Sequence, residues 1–214
     1  MTTLSTIRTR CRNLLGDTAG TEFTDAQVNA WINDALQDLS NHFPQVKTKV
    51  FTTVADQRKY NWESDLPIAI LSVEYPTGED PPEYLQRRAY TDPGFWEENG
   101  YYDFITRSIT DATYKPLLVI SEEPEANDYI EITYQVAHDA LSADADITTL
   151  PDRYLYLIEL YVRWKAWQEL ATTEGIDPDP MQRTMASQLE LNAFRAERSW
   201  YNALKDAKAA ESET

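Results

Sequence analysis

The spacing of apolar positions changes character twice along the chain. Leu4, Ile7, Cys11, Leu14 and Leu15 recur three and four residues apart, which predicts a first helix over about residues 3–15 that Gly16-Asp17 ends. After the loop GDTAGTE comes FTDAQVNAWINDALQDLSNHFP, residues 23–44. Here Val28, Trp31, Ile32, Ala35, Leu36, Leu39 and Phe43 form one apolar stripe, and Asn29, Asn33, Asp34, Gln37, Asp38 and Asn41 cover the other side. Thr24 and Gln27 have the spacing of a capping box, and Phe23 and Val28 that of a hydrophobic staple. Loss of such a cap costs about 1 kcal/mol. Pro44 is the predicted stop.

From Val46 the period shortens. KVFTTV, KYNW, IAILSVEYP, YDFITRSI, PLLVISE and YIEITYQVAH are rich in β-branched and aromatic residues, and turn-forming runs at 76–83, 92–94 and 122–128 separate them. In the last, Ile130, Ile132, Tyr134 and Val136 alternate with Glu131, Thr133 and Gln135, the mark of a strand buried on one face. Six short strands are expected.

Helical spacing returns after the acidic linker ALSADADITTLPD. RYLYLIELYVRWKAWQELA, residues 153–171, is apolar nearly all round, so it is expected to be covered on more than one side. Gly175 and the DPDP stretch interrupt it. A last helix is predicted from Met181 to Lys208, with Met185, Leu189, Ala193, Ala196, Trp200 and Leu204 on one side. The resulting expectation is an α+β fold. Residues 1–45 and 150–208 form a bundle of about four helices, residues 46–140 an inserted antiparallel β domain, and 209–214 a flexible tail.

Composition sharpens the picture. The chain of 214 residues is 42% hydrophobic, enough for a sizeable core, and no apolar run approaches the ~20 residues of a membrane span. Arg8, Arg10 and Arg12 interrupt any signal-peptide core. One cysteine, Cys11, excludes an internal disulfide and reads as a small core residue. The net charge is −17, and residues 51–150, with 6 basic and 20 acidic side chains, carry most of it. Such acidity opposes a tight grip on nucleic acid; it reads first as a device for solubility, and it is also compatible with a wall past which a polyanion slides.

Chemistry is sparse. His42 reads as a solvated or capping residue at a helix end; His138 beside Asp139 is a weak Ser–His–Asp signal without a G-x-S-x-G. The histidines and the single cysteine lack zinc spacing, and the six glycines form no phosphate loop, so no metal or cofactor is expected. Two acidic groups, Glu174 with Asp177 and Asp179, and Asp144 with Asp146, could meet a hard cation, though neither has the EF-hand pattern. The segment GFWEENGYYDF, 94–104, sets Trp96, Tyr101 and Tyr102 beside carboxylates. That mixture builds packed loops and protein interfaces, and it also stacks on sugar rings, which leaves a carbohydrate-binding module as an alternative function.

The ordered pair IRTRCRNLLGD and FTDAQVNAWINDALQDLSNHFP resembles the N-terminal signature of head-to-tail adaptor (connector) proteins of tailed bacteriophages. Arg12, Leu14, Leu15 and Asp17 match its first part; Phe23, Thr24, Asp25, Trp31, Ile32, Asn33 and Ala35 match its second. The match covers about forty residues, and the aromatic helix 153–171 looks like the family's long central helix. The resemblance implies a structural, non-catalytic virion protein at the head–tail junction, synthesised in the host cytoplasm. It implies a homo-oligomeric ring, usually twelve-fold, docked beneath the portal protein and above a tail or nozzle protein. DNA passes through its channel without specific binding, and no membrane is involved. On that reading the candidate interface residues are Trp96, Tyr101, Tyr102, Trp164, Trp167, Trp200, Tyr201 and Leu204.

Overall fold

The structure, a computed structural model, describes residues 2–63, 65–106, 115–174 and 180–212. Contacts divide the chain into two compact units, Met1–Gln45 with Ala137–Thr214, and Val46–Val136. The fold is α+β, as expected.

The first unit holds α1 (Leu4–Leu15), α2 (Asp25–Ser40), α3 (Leu155–Glu174) and α4 (Pro180–Ser212). Thr3 caps α1 by accepting from the Thr6 N–H, and Gly16, at φ 76°, closes it in the left-handed conformation that costs glycine least. The capping box of α2 is formed: Thr24 Oγ1 accepts from the Gln27 N–H at 3.3 Å and Gln27 Oε1 accepts from the Thr24 N–H at 3.0 Å. Helix α2 stops at Ser40, short of Pro44. The N–H groups of Asn41, His42 and Phe43 then satisfy the carbonyls of Asp38 and Leu39.

Helix α3 is the centre of this unit and packs against α1, α2 and α4. Leu157, Ile158 and Val162 have no exposure, and Leu4, Ile32, Leu36 and Trp200 lie in the same core. The all-round apolar character of α3 is therefore answered largely by its own chain. Cys11 is a buried free thiol, pushed up to about 12 by burial and by the nearby Glu159 charge.

The stretch that reads as an acidic linker is stitched to α1 and α2. The Leu4 N–H donates to the Asp146 carbonyl at 2.9 Å. The Asn33 amide imitates a backbone pair, donating to the Leu141 carbonyl at 3.0 Å and accepting from its N–H at 2.8 Å. Leu141 and Leu150 are buried in the helical core. Helix α4 extends past Lys208 to Ser212. Residues 175–179, with the predicted break at Gly175, lie outside the described residues.

Among the described residues the second unit has seven strands: β1 (Gln45–Thr52), which starts at the boundary, β2 (Lys59–Asn61), β3 (Ala69–Glu74), β4 (Gln86–Arg87), β5 (Tyr101–Ile105), β6 (Leu117–Ile120) and β7 (Tyr129–Val136). They form one sheet in the order β1-β7-β3 and another in the order β2-β6-β5-β4. Strand β4 departs from expectation. The added strand, β4, is two polar residues long, and it pairs parallel to β5, so the unit is mixed rather than purely antiparallel. On β1, Val46 and Val50 face outward and the Lys49 ammonium lies 4.6 Å from the Trp62 ring, its stem covering apolar surface. Trp62 joins the strands of both sheets into one core, meeting Phe104 edge-on at 5.2 Å and Tyr134 at 4.8 Å.

Candidate interaction surfaces

The N-terminal motif residues build a clamp. Arg12, projecting from the last turn of α1, is buried and donates through Nη1 to Asp17 Oδ2 at 2.8 Å and through Nη2 to Asp25 Oδ1 at 2.6 Å and the Phe23 carbonyl at 2.9 Å. Asp17 accepts in turn from the N–H groups of Thr21, Glu22 and Phe23. Burial pushes its carboxyl up, but those N–H donors and the Arg12 charge together outweigh burial and hold it below the ordinary value. Asp25 is held low chiefly by its hydrogen bond from Arg12. Trp31 meets Phe23 edge-on at 5.2 Å, while Ile32 and Ala35 have no exposure. Most of the motif therefore fixes the α1–α2 connection. Leu14 is its one large apolar residue left exposed, at 42%.

The chemical candidates resolve into supports. His138 Nε2 lies 2.7 Å from the Phe43 carbonyl, which can only accept, so Nε2 carries the proton and Nδ1 accepts from the Thr149 hydroxyl at 2.8 Å. Its backbone N–H donates to Ser40 Oγ, whose hydroxyl donates to the Leu36 carbonyl. Both ring nitrogens are thus used to hold the end of α2 to the returning chain. His42, half-buried just beyond α2, is lowered by burial and by Lys208. Asp146 closes its own turn by accepting from the N–H groups of Ser142 and Ala143, and Asp144 pairs with Arg8 at 2.9 Å, so these two do not converge on a cation. Among the described residues no group of three or more metal-ligating side chains assembles. The carboxylates of Glu174, Asp177 and Asp179 lie outside the described residues.

The aromatic segment 94–104 is occupied by its own neighbours. Trp96 donates from Nε1 to the Tyr90 carbonyl, meets Phe95 edge-on, and has the Arg58 guanidinium 5.6 Å from its ring. The Tyr101 hydroxyl donates to Glu98, and Arg88 lies 4.9 Å from that ring. Tyr102 is buried in the sheet core. A sugar platform needs an open aromatic face, and Arg58 and Arg88 already lie against these two rings.

Trp164, Trp167, Trp200, Tyr201 and Leu204 all sit on the α3–α4 pair. Trp200 and Leu204 point into the core, so their surface is used within the chain. Trp164 and Trp167 are half-buried on opposite flanks, and Tyr201 is exposed. One flank is a shallow groove of about 270 Å³ formed by Trp164, Ala193, Phe194, Glu190 and Glu197. Phe194 is 59% exposed there. On the same side burial, then the Asp34 and Asp38 charges, push the Tyr161 phenol up to about 12. Lys165 lies over Trp164 at 4.6 Å and partly offsets this acidity. The other flank is a groove of about 430 Å³ formed by Leu14, Leu15, Arg163, Trp167, Arg195 and Ala196.

Nearly the whole chain, residues 2–212, matches the family described as SU10 adaptor protein. The chain belongs to the SU10 adaptor protein family. The likeness to bacteriophage head–tail adaptors, which the first forty residues carry, thus extends over nearly all of it. No curated protein matches the chain. The adaptor is a structural component of a phage virion by this kinship, and no helix among its described residues is long and apolar enough to cross a membrane. Sequence reading missed the charged side chains of the adaptor's two flanks: Glu190, Glu197, Arg163 and Arg195. Their signal was Arg163, which interrupts an otherwise apolar run between Val162 and Trp164.

Proposed function

We propose that the protein is a non-catalytic adaptor at the head–tail junction, where several copies form a ring that joins the portal to the tail and prolongs the channel for DNA. The family match over residues 2–212 carries this reading. Twelve copies is the expected number. The net charge of −17 supports a conduit that does not retain DNA. A helical unit with exposed apolar and charged flanks supports contacts between neighbours.

The test is to mix the purified chain with its portal and image the product by cryo-electron microscopy. A closed ring of copies on one end of the portal is expected. A portal that remains bare at saturating adaptor concentrations would sink the proposal. Removal of residues 209–214, which leaves the buried Ala207 in place, is expected to weaken attachment to the portal, with a helical circular dichroism signal that falls by no more than the last turn of α4 contributes.

A further inference from the structure

We propose that copies of this chain associate head to tail through the two flanks of the α3–α4 pair. Phe194 of one copy enters the groove beside Trp167 and Leu14 of the next, and Glu190 and Glu197 face Arg163 and Arg195. The inference rests on the ring reading above and names the surfaces that would build the ring.

Charge complementarity selects the occupant. Among the described residues, none of these four charged side chains takes part in an ion pair. In a chain of net charge −17, an arginine normally finds a carboxylate nearby, yet Arg163 and Arg195 share one groove without one. Nε of Arg163 is buried and lacks a hydrogen-bond partner. A buried donor left unmade is costly, so a carboxylate brought to this groove gains more than one placed in open water. Glu159, four residues before Arg163 on α3, faces Arg10 at 3.9 Å.

The apolar part agrees. Phe194 at 59% exposure is a large ring standing free on the acidic flank, and Leu14 at 42% rims the arginine groove. The groove, about 430 Å³, has Trp167 on its wall. Tryptophan and arginine around an apolar pocket are the residues that anchor protein contacts. The two surfaces differ and lie on opposite sides of the same helix pair. Contact between them is therefore heterologous: each copy uses one flank to bind the next and leaves the other flank open, and such contacts close into a ring where the rotation between copies permits.

Complementary charge reversal tests this. One variant carries Glu190→Arg and Glu197→Arg; a second carries Arg163→Glu and Arg195→Glu. Each alone opposes like charges at every contact, whereas a mixture alternates attractive ones. Sedimentation velocity over rising concentration is expected to show association of the wild type, loss of association in each variant, and its return in the equimolar mixture. Phe194→Ala is expected to weaken association at least tenfold without altering the melting temperature. Should the Arg163 change disturb folding, as circular dichroism would reveal, Arg195→Glu alone replaces the pair. Wild-type protein that stays monomeric up to about 1 mM, variants that associate as the wild type does, or a mixture that stays monomeric overturns the proposal. Self-association with no recruitment to the portal would instead remove the adaptor reading and leave this contact standing.

Discussion

At His138 the fold depends on a proton being absent. The ring is buried, and its two nitrogens serve the Phe43 carbonyl and the Thr149 hydroxyl in one neutral tautomer. Burial lowers its pKa from the ordinary 6.5, and the Phe43 carbonyl and Asp139 only partly oppose that. The unfolded chain then binds more protons than the folded one between the lowered value and 6.5. Stability is full above 6.5 and falls as pH drops through that window. His42 acts in the same sense, through burial and Lys208. Asp17 and Asp25 act lower: their stabilisation is present above 3.8 and is lost as pH falls through their depressed values. Urea midpoints are therefore expected to fall between pH 7 and pH 5 in the wild type. The fall should be smaller for His138→Asn, measured against that variant's own value at pH 7, and smaller again once His42→Asn is added. An identical slope in all three proteins would contradict the assigned tautomer and burial.

Among the elements, α2 was legible because its signals are local. Its cap, stripe and staple span a few residues, and Thr24→Ala is expected to cost about 1 kcal/mol in chemical denaturation. The same holds for β7, whose alternation is uninterrupted. Strand β4 was not legible, since Gln86–Arg87 carries no periodicity and exists only because β5 offers it an edge. The facing of β1 was hidden too. A strand reading KVF expects valine inside, but the aromatic floor at Trp62 and Phe51 accepts the Lys49 stem instead. This inversion predicts an unusual order of sensitivities. Val50→Thr should shift stability by no more than ~0.5 kcal/mol, while Trp62→Ala should cost about 3–5 kcal/mol. A large loss at Val50 would mean that β1 presents the opposite face. The family signature was readable, but its physical content was not. Arg12, Asp17 and Asp25 meet only once the loop has folded, and Asn33 meets Leu141 across 108 positions of sequence.

For the whole molecule, the sign and placement of charge decide what the protein can hold. Of its charged groups, 36 are acidic and 19 basic. Several of the basic ones are already committed: Arg12 to Asp17 and Asp25, Arg8 to Asp25 and Asp144, Arg58 to Glu123, and Arg88 to Asp92 and Glu98. Duplex DNA is gripped by lysines and arginines that replace its counterions, and the grip strengthens steeply as salt is lowered. A protein in which several arginines face its own carboxylates has less to offer phosphates, and association of like copies multiplies the negative field. Fluorescence anisotropy with a labelled duplex should thus stay flat down to roughly 10 mM salt, where charges still act on one another over about 30 Å. The contact proposed between copies should by contrast respond to salt, because glutamate faces arginine there: raising salt weakens it while the Phe194 part persists. Binding of the duplex at low salt, with affinity falling linearly as the logarithm of salt rises, would show a basic path on the assembled protein and would exclude a channel wall that only repels its cargo.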